Sequence, residues 1–213
     1  IKFFEFNNRD HEHVSYGTLN DLDGNPFKTR DGGTKPLGEL FKETYEYIKN
    51  INNNLEDSTI KQLANSVLTF SDLMTNRRTD YKFDLEKFTN VNGKTGIYVQ
   101  YAQVRAKKLQ KSIDPQKNKF ETLVLSEVDK QLLSQLFMFG YFLEQSSSLN
   151  EPHHLANYLY DISNSFNQFY EHEKISEIKD LNHINSKLYL IDLFLTTSQN
   201  VMFCLGIKPV EKM

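Results

Sequence analysis

The chain has 213 residues, 25 basic and 28 acidic side chains and a formal net charge of −3, which supports one large domain or two small ones and excludes the overall basic character of a nonspecific nucleic-acid binder. No apolar run approaches the roughly 20 residues that cross a bilayer, and no signal-peptide pattern opens the chain. The single Cys204 excludes an internal disulfide; its apolar surroundings predict a buried thiol in a reducing compartment.

Residues 1–6, with Ile1, Phe3, Phe4 and Phe6, read as a strand already under way, which suggests a fragment lacking an N-terminal part. Residues 14–19 predict a second strand. It leads into a turn-rich basic loop, residues 23–34, suited to holding phosphate. Gly24, Gly32 and Gly33 let the backbone turn its N–H groups inward, Lys28 and Arg30 add full positive charges, and Thr29 and Thr34 add hydroxyl donors. The loop lacks the Walker A spacing, and on its own residues a solvated hairpin tip is the alternative.

After Pro36, Leu37, Leu40, Phe41, Tyr45 and Ile48 recur at helical spacing until an asparagine cluster at residues 50–54. A second helix starts at an Asp57 or Ser58 cap and carries Ile60, Leu63, Ala64, Val67, Leu68 and Phe70. Residues 75–96 read as an irregular, packed connector containing Tyr81, Phe83, Leu85 and Phe88. Four long helices follow, at about 97–111, 123–145, 152–170 and 184–205, with Pro152 opening the third and Gly206 stopping the fourth. This half predicts a helical bundle.

On the first of these helices Tyr98, Tyr101 and Arg105 fall at i, i+3 and i+7, placing two rings and a guanidinium on one face. Unpaired bases stack on such groups, each contact contributing about 1–3 kcal/mol. The alternative is that the tyrosines pack in the core, favoured for Tyr101 and open for Tyr98 on the residues alone. The run 105–119, with six basic side chains against Asp114, suits a local polyanion contact. None of the six histidines has the spacing of a helical zinc protease, so no metal site is expected. No nucleophile elbow or acid/base carboxylate pair stands out either.

Taken together, the motifs resemble the C-terminal half of arginyl-tRNA synthetase. Tyr16, Gly17, Thr18 and Leu19, then Asp23 and Gly24, then Pro26, Phe27, Lys28, Thr29 and Arg30 with Gly32, Gly33 and Thr34 look like the class I signature loop written KMSKS, in a degenerate form. Phe70, Ser71, Asp72 and Leu73, then Asn76, Arg77, Asp80, Tyr81, Phe83 and Asp84, and then Gly93 and Tyr98 through Ala102 with Arg105, continue in that family's order. Tyr158 through Asp161, Phe169 through His172, Leu205 through Ile207 and Val210 through Met213 are similar to its anticodon-binding domain.

The resemblance implies an α/β remnant of a class I Rossmann-type catalytic domain over residues 1–78, followed by an all-α helical-bundle anticodon-binding domain of the DALR type over residues 79–213. It implies an arginine-tRNA ligase, which forms arginyl-adenylate from arginine and ATP and passes the arginyl group to tRNA(Arg). ATP with Mg2+ would be the substrate, with no bound prosthetic group, no membrane or DNA partner and a cytoplasmic setting. Phe27, Lys28, Thr29, Arg30, Gly32 and Gly33 would form the ATP loop, Lys28 and Arg30 standing in shifted register from the motif's two lysines. Tyr98, Tyr101, Arg105, Tyr170 and Met213 match positions that contact the anticodon loop; on helix phase alone Phe169 could take the outward role of Tyr170. No His-x-Gly-His sequence is present, so the chain is expected to be inactive alone. A standalone tRNA-binding module is the rival reading.

Overall fold

The computed structural model describes residues 12–25, 36–113, 122–172 and 174–213. Helix α1, Leu37–Ile51, follows directly on Pro36 and buries Leu40, Thr44 and Ile48, one turn apart. Helix α2, Asp57–Met74, packs against it, burying Ile60, Leu63, Val67 and Phe70. Its cap is Glu56, without a side-chain bond, rather than Asp57 or Ser58. Asp57 instead pairs with Lys61 one turn on.

The second predicted strand shrinks to β1, Leu19–Asn20, with residues 12–18 irregular. Its parallel partner β2, Tyr81–Lys82, sits in the stretch read as irregular, which also contains the short helix α3, Leu85–Thr89. A two-residue ladder owes its existence to a partner about 60 residues away, so neither segment alone shows it. Around it, Asp80 accepts from the Thr18 N–H at 2.7 Å, and Gly17 donates to the Arg77 carbonyl at 2.6 Å. A Cβ at position 17 would lie 2.6 Å from the Thr79 backbone, so the chain crossing needs glycine there.

Helix α4, Gly96–Ser112, starts at Thr95, whose hydroxyl accepts from the Tyr98 N–H. The helix expected at 123–145 is two: α5, Glu127–Leu136, and α6, Phe139–Ser148. Ser126 and Asp129 form a capping box that fixes the start of α5. At its end Met138 N–H bonds back only three residues to Gln135, and ψ near zero at Met138 redirects the chain. Helix α7 spans His153–His172 and helix α8 Leu181–Cys204, the latter capped by Asp180 and so beginning a turn before residue 184. Gly206, at φ 71°, closes α8 as expected, with Ile207 N–H returning to the Met202 carbonyl.

Two cores meet at α4. One joins Val99, Ala102 and Ala106 to α5, α7 and α8 through Leu132, Leu159, Phe166, Ile191 and Phe194. The other joins Ile97 and Val104 to Ile48, Ile60, Leu63 and Val67, and to Val210 of the tail. Residues 207–213 run back over α4, where buried Gln100 accepts from Val210 N–H and donates to the Lys208 carbonyl and to Ser66 Oγ. Deep in the bundle Lys187 bonds both Asp129 oxygens at 2.8 Å, with each side chain 1% exposed. Cys204 is exposed, against the expectation of a buried thiol, because Val201, Met202 and Leu205 take the inward phase at the end of α8. Among the described residues no helix is long and apolar enough to cross a membrane.

Candidate nucleic-acid interface

Helices α4 and α7 lie side by side, and each offers a polar stripe at the seam. From α4 come Tyr98, Tyr101 and Arg105; from α7 come Tyr160, Asn164, Asn167, Tyr170 and Glu171. The guanidinium carbon of Arg105 sits 4.5 Å from the Tyr101 ring centre and 4.7 Å from that of Tyr170, so the cation is held against two aromatic faces from different helices. Its Nη1 donates to Asn167 Oδ1 at 3.1 Å and to Glu171 Oε1 at 3.2 Å. Burial works against the charge on Arg105, yet Tyr101 and Glu171 outweigh it and raise the guanidinium above its ordinary value. The result is a fixed cation with two exposed-edge rings.

Tyr101 and Tyr170 are each 39% exposed, which overturns the core placement favoured for Tyr101 on the residues alone. The α4 phase explains it: Ala102 and Ala106 take the inward positions. In α7 Phe169 is buried, leaving Tyr170 outward. Tyr98 lies half in the core, its ring 5.2 Å from Tyr160 and its hydroxyl donating to Asn164 Oδ1 at 3.2 Å. Met213 packs with the α1–α2 core rather than with the Arg105 stack. Asn164, Asn167 and Glu171 were missed in the sequence, although their i, i+3, i+7 spacing repeats that of Tyr98, Tyr101 and Arg105.

Around the stack the basic run is partly neutralised. Lys107 donates to Glu211 at 2.6 Å and to the Val210 carbonyl, and its ammonium holds the Glu211 carboxyl below the usual carboxylate range. Lys108 and Lys111 are exposed, whereas Lys117 and Lys119 lie outside the described residues. Lys94 sits over the outer ring of Tyr160 at 4.8 Å. A cleft of about 680 Å³ adjoins the stack, lined by Leu109, Ile113, Tyr170, Glu171, Ile175 and Ile184 among others. Phe27, Lys28, Thr29, Arg30, Gly32 and Gly33, the sequence-predicted ATP loop, also lie outside the described residues.

Comparison with known families matches residues 99–213 to the DALR anticodon binding domain and residues 1–85 to the class I (R) tRNA synthetase catalytic domain. The chain is 38% identical over 178 residues to an arginine–tRNA ligase of Francisella tularensis subsp. novicida, covering 79% of this chain and 31% of that one. It is 35% identical over 214 residues to the arginine–tRNA ligase of Stutzerimonas stutzeri, covering 95% of this chain and 37% of the relative. It thus spans about a third of the length of these relatives. Arginyl-tRNA synthetase of Thermus thermophilus superposes with a TM-score of 0.76 at 20% identity, covering 94% of this chain and 35% of that one. That of Plasmodium falciparum superposes at 0.68 with 27% identity, covering 83% and 33%. The exposed aromatic and cationic seam between α4 and α7 therefore lies within a DALR domain, and the chain belongs to the arginyl-tRNA synthetase family.

Proposed function

We propose that this chain serves arginine–tRNA ligation as the part that holds the anticodon loop of tRNA(Arg) and supplies one loop of the ATP site. The observation that carries the reading is the Tyr101–Arg105–Tyr170 stack, exposed and fixed by Asn167 and Glu171. Such a seam offers ring faces to unpaired bases and a cation to phosphate, the two needs of a single-stranded RNA loop. Tyr101, Arg105 and Tyr170 form its centre. Tyr98, hydrogen-bonded to Asn164, extends the seam, and Met213 would meet the RNA separately, from the tail beside the α1–α2 core.

In the ligation itself the arginine carboxylate attacks the α-phosphorus of ATP and pyrophosphate departs; a ribose hydroxyl of the tRNA's terminal adenosine then takes the arginyl group from the adenylate and AMP departs. Lys28 and Arg30 would stabilise the charge that develops on the departing pyrophosphate, with Mg2+ on the triphosphate. The modules divide at residues 78 and 79, and the protein acts in the cytoplasm. Matches to both a catalytic and an anticodon-binding family favour this over a standalone tRNA-binding module.

Titrating tRNA(Arg) into the 213-residue chain at several salt concentrations tests the reading. Affinity should fall steeply with salt, and a Tyr98→Ala, Tyr101→Ala pair should weaken it while the chain stays folded. Salt-independent binding, or equal binding by the pair, counts against it. The chain alone should show no ATP–pyrophosphate exchange with arginine and tRNA, whereas the full ligase should.

A further inference from the structure

At the opposite end of α7 from the Arg105 stack, three side chains converge that the proposed function does not use. Glu151 Oε2 lies 3.3 Å from His154 Nε2 and 4.0 Å from His153 Nδ1, and the three atoms lie within 4.8 Å of one another. The imidazole rings are tilted against each other with centres 4.1 Å apart. Both facing nitrogens are shielded from solvent and make no hydrogen bond. A polar atom buried without a partner costs about 1–3 kcal/mol, so the arrangement is incomplete as it stands.

We propose that Glu151, His153 and His154 form a site for a divalent transition-metal ion of the zinc type, completed by water. Two imidazole nitrogens and one carboxylate oxygen are a donor set that zinc accepts, whereas calcium and magnesium take oxygen ligands. Zinc bonds of about 2.0–2.2 Å put tetrahedral donors roughly 3.4 Å apart; the Glu151–His154 pair already stands at 3.3 Å, and His153 Nδ1, 4.0 Å from the carboxylate, has to move inward on binding. The helical spacing rule missed the cluster because Glu151 precedes the helix: Asn150, at φ 52°, and Pro152 fold it back over the first turn. Arg77 stands nearby but is engaged with the carbonyls of Asn150 and Ser15. An ion here would pin the start of α7 where it meets Arg77 and, through Asn150, Glu12.

The test uses the tag-free 213-residue chain. Calorimetric titration with zinc chloride should show one ion per chain, and cobalt(II) should give the visible absorption of a four-coordinate site. Glu151→Gln and His154→Ala should each weaken zinc binding at least about tenfold, while His13→Ala leaves it unchanged. Absence of binding, or binding untouched by both variants, overturns the proposal. If either variant fails to fold, the wild type decides through its histidine ring resonances: zinc must shift those of His153 and His154, and shifts confined to other histidines overturn the site.

Discussion

Replacing Gly96 by alanine tests the joint between the two cores. A Cβ there would lie 2.2 Å from the Ser66 carbonyl oxygen, 2.5 Å from its carbon and 2.8 Å from Val67 nitrogen, all backbone of α2. Ordinary contact begins near 3.4 Å, so α2 and α4 must part by about 1.2 Å. Side chains cannot absorb this, because the obstacle is helix backbone whose Ser66 is also bonded to Gln100. Overpacking of this kind costs about 1–3 kcal/mol, and the parted helices also loosen Ile60, Leu63, Val67 and Ile97. Alanine returns at most about 1 kcal/mol through helix propensity, so a net loss of about 2 kcal/mol is expected. For a chain of this size that lowers Tm by about 4–8 °C, measurable by circular dichroism or urea titration. Gly38→Ala is the control: it meets nothing within 4 Å and should match or exceed wild type. If Gly96→Ala proves as stable as Gly38→Ala, the close approach of α2 and α4 is refuted. Because α4 carries Tyr101 and Arg105, the variant should also bind tRNA less tightly.

Arg105→Lys keeps the charge but loses the planar contact with two rings and the fork to Asn167 and Glu171; tRNA affinity in filter binding should fall about tenfold, with the thermal midpoint little changed. Lys187→Ala strands Asp129 in the core and should destabilise by about 3–5 kcal/mol in urea unfolding; a loss below that of a surface substitution would refute the buried pair. Asp80 is held below the usual carboxylate range by the Thr18 N–H, and Asp57 by the Lys61 and Tyr45 bonds. Their folded values lie below the unfolded ones, so their contribution is present above about pH 4 and is lost as the pH falls further. Unfolding free energy should therefore decline from pH 5 to pH 3, and less steeply in Asp80→Asn.

The long apolar periods made α1, α2, α4, α7 and α8 legible, since Ile60, Leu63 and Val67, or Leu188 and Ile191, leave one reading at helical spacing. The break after Leu136 was not legible: Val128, Leu132, Leu136 and Phe139 keep the period across it, and only the turn at Phe137 and Met138 interrupts. β1 and β2 have two residues each and need one another. In the seam, Tyr98, Tyr101 and Arg105 could be placed on one face, but which ring stays outside depends on what α7 presses against it. Cys204 misled because an apolar neighbourhood in sequence is not a buried phase on a helix.

The tail clasp on Gln100 has a consequence for biosynthesis. Its bonds to Lys208 and Val210 span 108 and 110 positions, so a nascent chain still short of Val210 leaves a buried amide in α4 unmatched on that side. Domains form in the order in which they emerge from the ribosome, and here the helix bearing Arg105 is completed late. Until then the emerging chain should be open to chaperones, and the Arg105 seam on α4 reaches its final form only once Val210 has been made.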